Sequence, residues 1–152
     1  MSISRIVVRV YGLLFNSEGK LLVTDEQRMG MSMTKFPGGG LELGEGPIDC
    51  LRREIREEMN QEVDNVEHFY TTDYFQQAQF FSDAQLLSIY YTANLKDERA
   101  FKASTRPFDF ELGVDGSQSF RWVEMEKLTD EDFTFPIDRI VFEKLRIKHG
   151  IK

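Results

Sequence analysis

The stretch FPGGGLELGEGPIDCLRREIREEMNQEV, residues 36 to 63, joins a run of glycines to a charged segment with helical spacing. Proline suits the first turn of a helix, and apolar residues recur at helical intervals, so we predict a helix over Pro47–Met59. Asn60 is suited to end that helix in the left-handed conformation. The apolar side that we expect to face the core consists of Ile48, Leu51, Ile55 and Met59.

The predicted helix carries three glutamates that repel one another. Glu54, Glu57 and Glu58 are neighbours on a helix, where each like-charged pair costs about 0.2–0.5 kcal/mol. They also lie toward the C-terminal end, where the helix dipole disfavours anions. The cluster becomes favourable when a hard divalent cation such as Mg²⁺ or Mn²⁺ joins the carboxylates. The same charge pattern is also typical of a solvated, salt-bridged surface, so the charges alone leave both interpretations open.

The whole chain has the size and composition of one folded domain. Its 152 residues, 41% of them hydrophobic, are enough to bury a core, and we predict a single domain over residues 1–152. The formal net charge of −7 argues against general binding to nucleic acid or to an anionic membrane surface. No segment reaches the ~18 apolar residues of a membrane span. With Cys50 as the only cysteine and no signal-peptide pattern, we expect a cytoplasmic location.

Outside the predicted helix, strand-like segments come in hairpin-like groups. Strands are predicted at residues 3–15, 21–24, 66–75, 86–95 and 119–123. Residues 25–35 show no clean period and are predicted to be a loop. A second helix should begin near Pro136, with a core side formed by Ile137, Ile140, Val141 and Leu145. The order of elements favours an α/β (α+β) fold, an α/β/α sandwich with a mixed β-sheet between helices.

The charged segment resembles the sequence box of the Nudix hydrolases, G-x5-E-x7-R-E-U-x-E-E-x-G-U, in which U is a bulky aliphatic residue. Gly39 is followed by Glu45 at the box spacing, and seven residues separate Glu45 from Arg53. The other acids of the box are Glu54, Glu57 and Glu58. The flanking FPGGG and the strand order are also similar to the family. The resemblance therefore implies a Nudix-like fold and a hydrolase.

The box closes differently in this chain, because Asn60 and Gln61 replace its last glycine and aliphatic residue. Asparagine is the next-best residue for a left-handed cap, so the first change is mild. Gln61 is expected to be exposed where the family packs an apolar side chain. We expect Val63 to take over that packing.

The resemblance implies hydrolysis of a diphosphate linked to another group, with Mg²⁺ or Mn²⁺ as cofactor. The implied metal ligands are the carbonyl of Gly38 and the side chains of Glu54, Glu57 and Glu58. Arg53 would be structural and would pair with Glu45, holding the loop to the helix. A general base would come from a box glutamate or from an acid on a later loop. The later candidates are Glu111 and Asp115, and each can also be a solvated loop acid.

The C-terminal segment DEDFTFPIDRIVFEKL is similar to the end of MutT-type enzymes, which cleave nucleoside triphosphates. There, a polar residue at the start of the last helix contacts the base, and the matching residue is Asp138. Alternatively, Asp138 is only an acid favoured by the dipole in a first helical turn. Arg28 is the candidate cation for a substrate phosphate, or else a solvated loop arginine. The resemblance thus implies a nucleoside triphosphate pyrophosphohydrolase.

Two other functions compete with this prediction. The first is an ADP-ribose or nucleotide-sugar pyrophosphatase, although the marker residues of the ADP-ribose and dinucleoside polyphosphate subfamilies are absent from residues 76–79. The second is a non-catalytic nucleotide sensor, although such sensors often lose box glutamates and this chain keeps them. The implied partner is a small nucleoside diphosphate derivative, and neither nucleic acid nor a membrane is expected to bind. Members of the family often dimerise, so a homodimer is also expected.

Overall fold

The structure is a computed structural model that describes residues 2–151 of the chain. These residues form two compact units, one with residues 2–13 and 38–97 and the other with residues 14–37 and 98–151. The predicted α/β fold with a mixed sheet and two helices is confirmed, and the single-domain assignment stays a prediction. The elements are β1 Arg5–Phe15, β2 Leu21–Arg28, β3 Met31–Lys35, β4 Gly38–Gly40, α1 Pro47–Met59, β5 Val63–Thr71, β6 Ala84–Leu95, β7 Gln118–Val123 and α2 Pro136–Lys148.

In the first unit, β1, β6 and β5 lie side by side, and β4 pairs antiparallel with β1. Helix α1 has the predicted bounds, with Pro47 in its first turn. The Asp49 carboxylate accepts a hydrogen bond from the Gly46 N–H at 3.0 Å and so supports the start of the helix. Asn60 ends the helix with φ 54° and ψ 43°, in the left-handed conformation that we predicted.

The core side of α1 differs from the prediction at one residue. Leu51, Ile55 and Met59 are buried, but Ile48 is 40% exposed, so its assignment to the core was wrong. Ile48 belongs to the first turn of the helix, at the end of the packed stripe. Cys50 is fully buried in its stead.

Gln61 is also placed differently, because it is only 7% exposed where we expected a solvated side chain. Its Oε1 has no hydrogen-bond partner among residues 2–151. The left-handed cap turns the chain back after α1, and Arg52 Nη1 binds the Val63 carbonyl at 3.0 Å, which draws this segment against the helix. Val63 is 2% exposed and thus buried, and its taking over the packing of residue 61 stays a prediction.

Strand β5 begins and ends earlier than the predicted strand at residues 66–75. Its pairing with β6 contains two register shifts, between Asp64 and Glu67 and between His68 and Tyr70. The regular strand ends at Thr71, and residues 72–76 belong to no strand. The Thr72 N–H nevertheless still donates to the Ser88 carbonyl at 2.9 Å, and Gln77 forms an isolated antiparallel bridge with Gln85.

In the second unit, the predicted loop at residues 25–35 is wrong. Strand β2 continues to Arg28 and pairs antiparallel with both β3 and β7. Met29 and Gly30, with φ of 52° and 75°, form a two-residue turn of the kind that favours hairpins. The segment lacked a clean period because Asp25, a fully buried acid, lies in the strand with Arg121 as its ion-pair partner at 2.6 Å.

Helix α2 starts at Pro136, as predicted, and buries Ile137, Val141 and Leu145. Ile140 is 39% exposed, so its place in the core stripe was wrong. At 100° per residue it points away from the direction shared by the buried side chains, and Phe142 is fully buried in its place. Of the helices between residues 2 and 151, none has the length and apolarity that a membrane crossing requires.

Candidate active site

Three glycines form β4, and the missing side chain of Gly39 makes room for a glutamate of α1. A Cβ on Gly39 would lie 2.2 Å from Cδ and 2.3 Å from Oε1 of Glu54, far inside van der Waals contact. Gly39 therefore lets the Glu54 carboxylate rest directly on the backbone of β4. The Glu54 side chain is only 14% exposed there.

Gly38 is required by the pairing of β4 with β1. Its φ of 155° is rarely adopted by residues with a side chain. A Cβ at this position would lie 2.1 Å from the Val10 carbonyl oxygen and 2.9 Å from Cδ1 of Tyr11. A glycine here thus lets the two strands approach closely and fixes the position of the Gly38 carbonyl at the start of β4.

Arg53 organises the acidic cluster, because all five N–H groups of its guanidinium donate hydrogen bonds. Nε and Nη2 bind the two oxygens of Glu45 at 3.0 and 2.8 Å, and Nη2 also binds the Gly40 carbonyl at 2.9 Å. Nη1 donates to Glu54 at 3.0 Å and to Glu57 at 3.2 Å. One side chain therefore ties the loop, β4 and α1 together, and the predicted Arg53–Glu45 pair is present.

The pair with Arg53 keeps Glu45 ionised. Hydrogen bonds from Arg53, and then from the backbone N–H of Glu42, lower the pKa of Glu45 from 4.5 to about 2. The same contact raises the pKa of Arg53 above its usual value. Burial, followed by the charge of Glu45, raises the pKa of Cys50 to about 12, so the thiol stays protonated at neutral pH.

The three glutamates of α1 offer oxygen ligands, which suit a hard divalent cation such as Mg²⁺. Glu57 is 59% exposed and Glu58 is half-buried. Between residues 2 and 151, no three side chains of His, Cys, Asp or Glu stand together as a ready set of metal ligands. In this cluster, Arg53 donates a hydrogen bond to one carboxylate oxygen of Glu54 and another to one of Glu57. The chemistry of these oxygen donors fits such a cation, and the ligand set of Gly38, Glu54, Glu57 and Glu58 stays a prediction.

The sequence matches the family model of the NUDIX domain over residues 5–145. The chain belongs to the Nudix family. The resemblance noted in the sequence is thereby confirmed, and with it the assignment as a Nudix-type pyrophosphohydrolase. A search of the curated proteins finds no match to the chain.

Solved structures of other Nudix proteins share its fold. A MutT Nudix hydrolase from Burkholderia pseudomallei is 17% identical, with a TM-score of 0.67 over 93% of this chain and 99% of that chain. A Nudix hydrolase from Nitrosomonas europaea is 16% identical, with a TM-score of 0.66 over 93% and 89%. A MutT protein from Methanosarcina mazei Go1 is 17% identical, with a TM-score of 0.59 over 96% of both chains. At these identities the likeness shows the Nudix fold.

The candidates outside the Nudix box lie in the second unit. Arg28 ends β2 and is exposed, and Glu111 is exposed in the segment before β7. Asp115 accepts a hydrogen bond from the Met29 N–H, so its carboxylate supports the β2–β3 turn. Asp138, in the first turn of α2, is only 2% exposed. The structure brings the box residues together in the first unit, and the roles of these four residues stay predictions.

Arg9 lies beside the Nudix box and was missed in the sequence. Its Nη1 is 4.0 Å from the position of a Cβ on Gly40, and its Nε donates a hydrogen bond to the Tyr11 hydroxyl at 2.7 Å. A signal was present, since Arg9 is a charged residue inside the otherwise apolar run IVVRVYGLLF. The pairing of this strand with the glycines, which gives Arg9 its place, could not be read from the sequence.

Proposed function

We propose that this Nudix protein is a Mg²⁺-dependent, MutT-like pyrophosphohydrolase that cleaves nucleoside triphosphates. The observation that carries the proposal is the arrangement around Arg53, whose hydrogen bonds join the glycine strand, the loop and two glutamates of α1. The C-terminal resemblance to MutT-type enzymes supports the substrate class. Solved structures with the same fold include proteins named MutT. The buried thiol of Cys50 suits the reducing cytoplasm that we propose as its location.

The reaction hydrolyses one phosphoanhydride bond, so that a nucleoside triphosphate gives a nucleoside monophosphate and pyrophosphate. A water oxygen forms a bond to one phosphorus of the diphosphate, and the bond from that phosphorus to the bridging oxygen breaks. The bridging oxygen leaves with the second phosphate, and a carboxylate accepts the proton that the water loses. Bound Mg²⁺ would neutralise phosphate charge and lower the pKa of the water. The candidates for the carboxylate are Glu54, Glu57, Glu58, Glu111 and Asp115.

Each residue has a proposed part in this reaction. The carbonyl of Gly38 and the carboxylates of α1 would hold Mg²⁺, and Mn²⁺ suits the same oxygen ligands. Arg53 and Glu45 would position these carboxylates. Arg28 would bind a substrate phosphate, and Asp138 would accept a hydrogen bond from an exocyclic amine of the base. Substrate profiles of Arg28→Gln and Asp138→Asn, compared with the wild-type profile, test these last two assignments.

A substrate panel with Mg²⁺ tests the proposed function. The panel contains nucleoside triphosphates, oxidised nucleoside triphosphates, ADP-ribose, nucleotide sugars and dinucleoside polyphosphates, and the products are separated by chromatography. We expect nucleoside triphosphates to give a monophosphate and pyrophosphate. In Glu58→Gln we expect kcat to fall at least about 100-fold, because losing even a hydrogen-bond partner of a metal ligand costs about 10- to 100-fold.

Glu62→Gln is the matched control, because Glu62 is an exposed acid just after the end of α1 that pairs with Arg56 at 3.0 Å. It should keep wild-type turnover. Cleavage of ADP-ribose or nucleotide sugars alone would replace the proposed substrate with the runner-up class. If no compound is cleaved although Mg²⁺ binds, the result favours the non-catalytic sensor. Equal turnover in Glu58→Gln and the wild type would contradict the role of the glutamates.

A further inference from the structure

Arg9 lies on one face of the glycine strand, and Glu54 lies on the other. In the pairing of β1 with β4, Arg9 stands across from Gly40, and its Nη1 is 4.0 Å from the position of a Cβ there. The Cβ position of the preceding residue, Gly39, points instead at the Glu54 carboxylate. Successive residues of a strand face opposite sides, so the guanidinium and this box carboxylate are separated by the thickness of β4.

Two aromatic side chains, Tyr11 and behind it Tyr90, support the Arg9 side chain. Its Nε donates to the Tyr11 hydroxyl at 2.7 Å, and its guanidinium carbon is 5.5 Å from the centre of the Tyr11 ring. That ring in turn stacks on Tyr90 with the ring centres 5.1 Å apart and the planes 25° apart. Tyr90 is fully buried, so the support is anchored in the core of the first unit. A guanidinium fixed in this way loses little conformational entropy when it binds a ligand.

The chemistry of the proposed substrate requires a cation near the box. The chain has a net charge of −7, which repels a polyphosphate unless positive charge is supplied locally. Arg53 cannot supply it, because its five N–H groups all donate to Glu45, Glu54, Glu57 and the Gly40 carbonyl. A guanidinium presents a planar fork of donors that matches phosphate oxygens, which makes Arg9 suited to this task.

We propose that Arg9 binds a phosphate oxygen of the substrate beside the glycine strand. Arg9 is then a substrate-binding residue of the pyrophosphohydrolase, and Tyr11 is the residue that positions it. The inference rests on the proposed function for the identity of the anion. Arg9 belongs to β1, so the proposed contact with the polyphosphate comes from a residue outside the Nudix box.

Steady-state kinetics of variants test the role of Arg9. In Arg9→Gln we expect KM to rise about 10- to 100-fold, the range for a hydrogen bond to a charged group. Arg9→Lys keeps the charge and loses the fork, so its KM should lie between those of the wild type and Arg9→Gln. Tyr11→Phe should raise KM by a smaller factor, because it removes only the hydroxyl that orients Arg9. Arg5→Gln is the matched control on the same strand, since Arg5 is exposed and pairs with Asp83.

A binding measurement keeps this test separate from that of the proposed function. Inorganic pyrophosphate, the probe, should raise the thermal unfolding midpoint of the wild type and of Arg5→Gln but not that of Arg9→Gln. If the wild type turns over a substrate and Arg9→Gln keeps its KM within about twofold, the inference is overturned while the proposed function stands. If the wild type cleaves nothing, the proposed function fails. In that case, pyrophosphate shifts of the unfolding midpoint that are equal in the wild type and Arg9→Gln overturn the inference. Should Arg9→Gln fail to fold, Arg9→Lys takes its place in both measurements.

Discussion

At the scale of single residues, Glu45 makes folding stability depend on pH. Its pKa is about 2 in the folded protein and 4.5 without its partners, so the folded chain binds fewer protons between these values. The stability that Glu45 contributes is therefore complete above about pH 4.5 and is lost as the pH falls through about 2. We expect the urea unfolding midpoint to fall in this acid range.

The variant Glu45→Gln isolates this contribution, because it removes the titrating carboxyl and keeps its shape. Its stability should change less with pH in the acid range than that of the wild type. The slope should not vanish, since Arg56 and Arg5 also lower the pKa values of Glu62 and Asp83. Parallel curves for the wild type and the variant would contradict the assignment.

Residue pairs were predictable where both partners belong to a sequence pattern. The Arg53–Glu45 pair follows from the fixed spacing of the box, and the two hydrogen bonds between these residues are present. The Asp25–Arg121 pair joins residues far apart in the chain, and no local pattern connects them. Its Nε–Oδ2 and Nη2–Oδ1 distances are 2.6 and 3.0 Å, with Asp25 fully buried. Long-range pairing of this kind depends on the register of strands, which single residues do not reveal.

At the scale of elements, β4 depends on glycine to different degrees along its length. In Gly39→Ala, the new Cβ would collide with Glu54, whereas in Gly40→Ala its nearest neighbour would be Arg9 Nη1 at 4.0 Å, an ordinary contact. We expect Gly39→Ala to lower the free energy of unfolding by about 1–3 kcal/mol, the range for overpacking. Gly40→Ala should change it by less than about 1 kcal/mol.

Urea denaturation of both variants and the wild type checks this difference. The comparison is matched, since both changes add one methyl group to neighbouring residues of the same strand. Equal losses of stability would show that the contact of Gly39 with Glu54 does not govern the strand. A larger loss in Gly40→Ala would contradict the geometry of β4.

Elements with a regular period were predicted more closely than elements with a buried charge. Helix α1 has its predicted bounds, because proline, apolar spacing and the asparagine cap agree on them. The β2–β3 hairpin was missed, because its turn at Met29 and Gly30 lies among polar residues and its buried acid is balanced by an arginine of β7. Each predicted helix face contained one wrong residue, Ile48 or Ile140, because local spacing does not report which end or side of a helix meets the core.

At the scale of the whole molecule, Mg²⁺ should stabilise the folded chain. A ligand that binds only the folded state adds about 2.7 kcal/mol to the free energy of unfolding at a concentration 100 times its Kd. We expect this rise on adding Mg²⁺, its reversal by a chelator, and a smaller rise in Glu58→Gln. Because the net charge is −7, sodium chloride at equal ionic strength is the necessary control for screening. Equal stabilisation by both salts would contradict a specific site.

The family and fold were accessible from the sequence because the box fixes a chemical arrangement through local spacing. The glycine run, the loop acid and the helix acids all fall within one short segment. The placement of Arg9 against Gly40 was not accessible, since it depends on pairing between β1 and a strand of only three residues. The sequence therefore predicted the part of the candidate site that is continuous in the chain.

The irregular pairing of β5 bears on how molecules of this protein behave when they are concentrated. Among the described residues of the first unit, β5 is the outer strand of the run β1, β6, β5. An outer strand with open backbone groups is a template for aggregation when it is flat and apolar. Two register shifts interrupt β5, and Asp64 and Glu67 are exposed charges along it. These features therefore make the edge resist the strand-to-strand pairing by which intermolecular sheets grow.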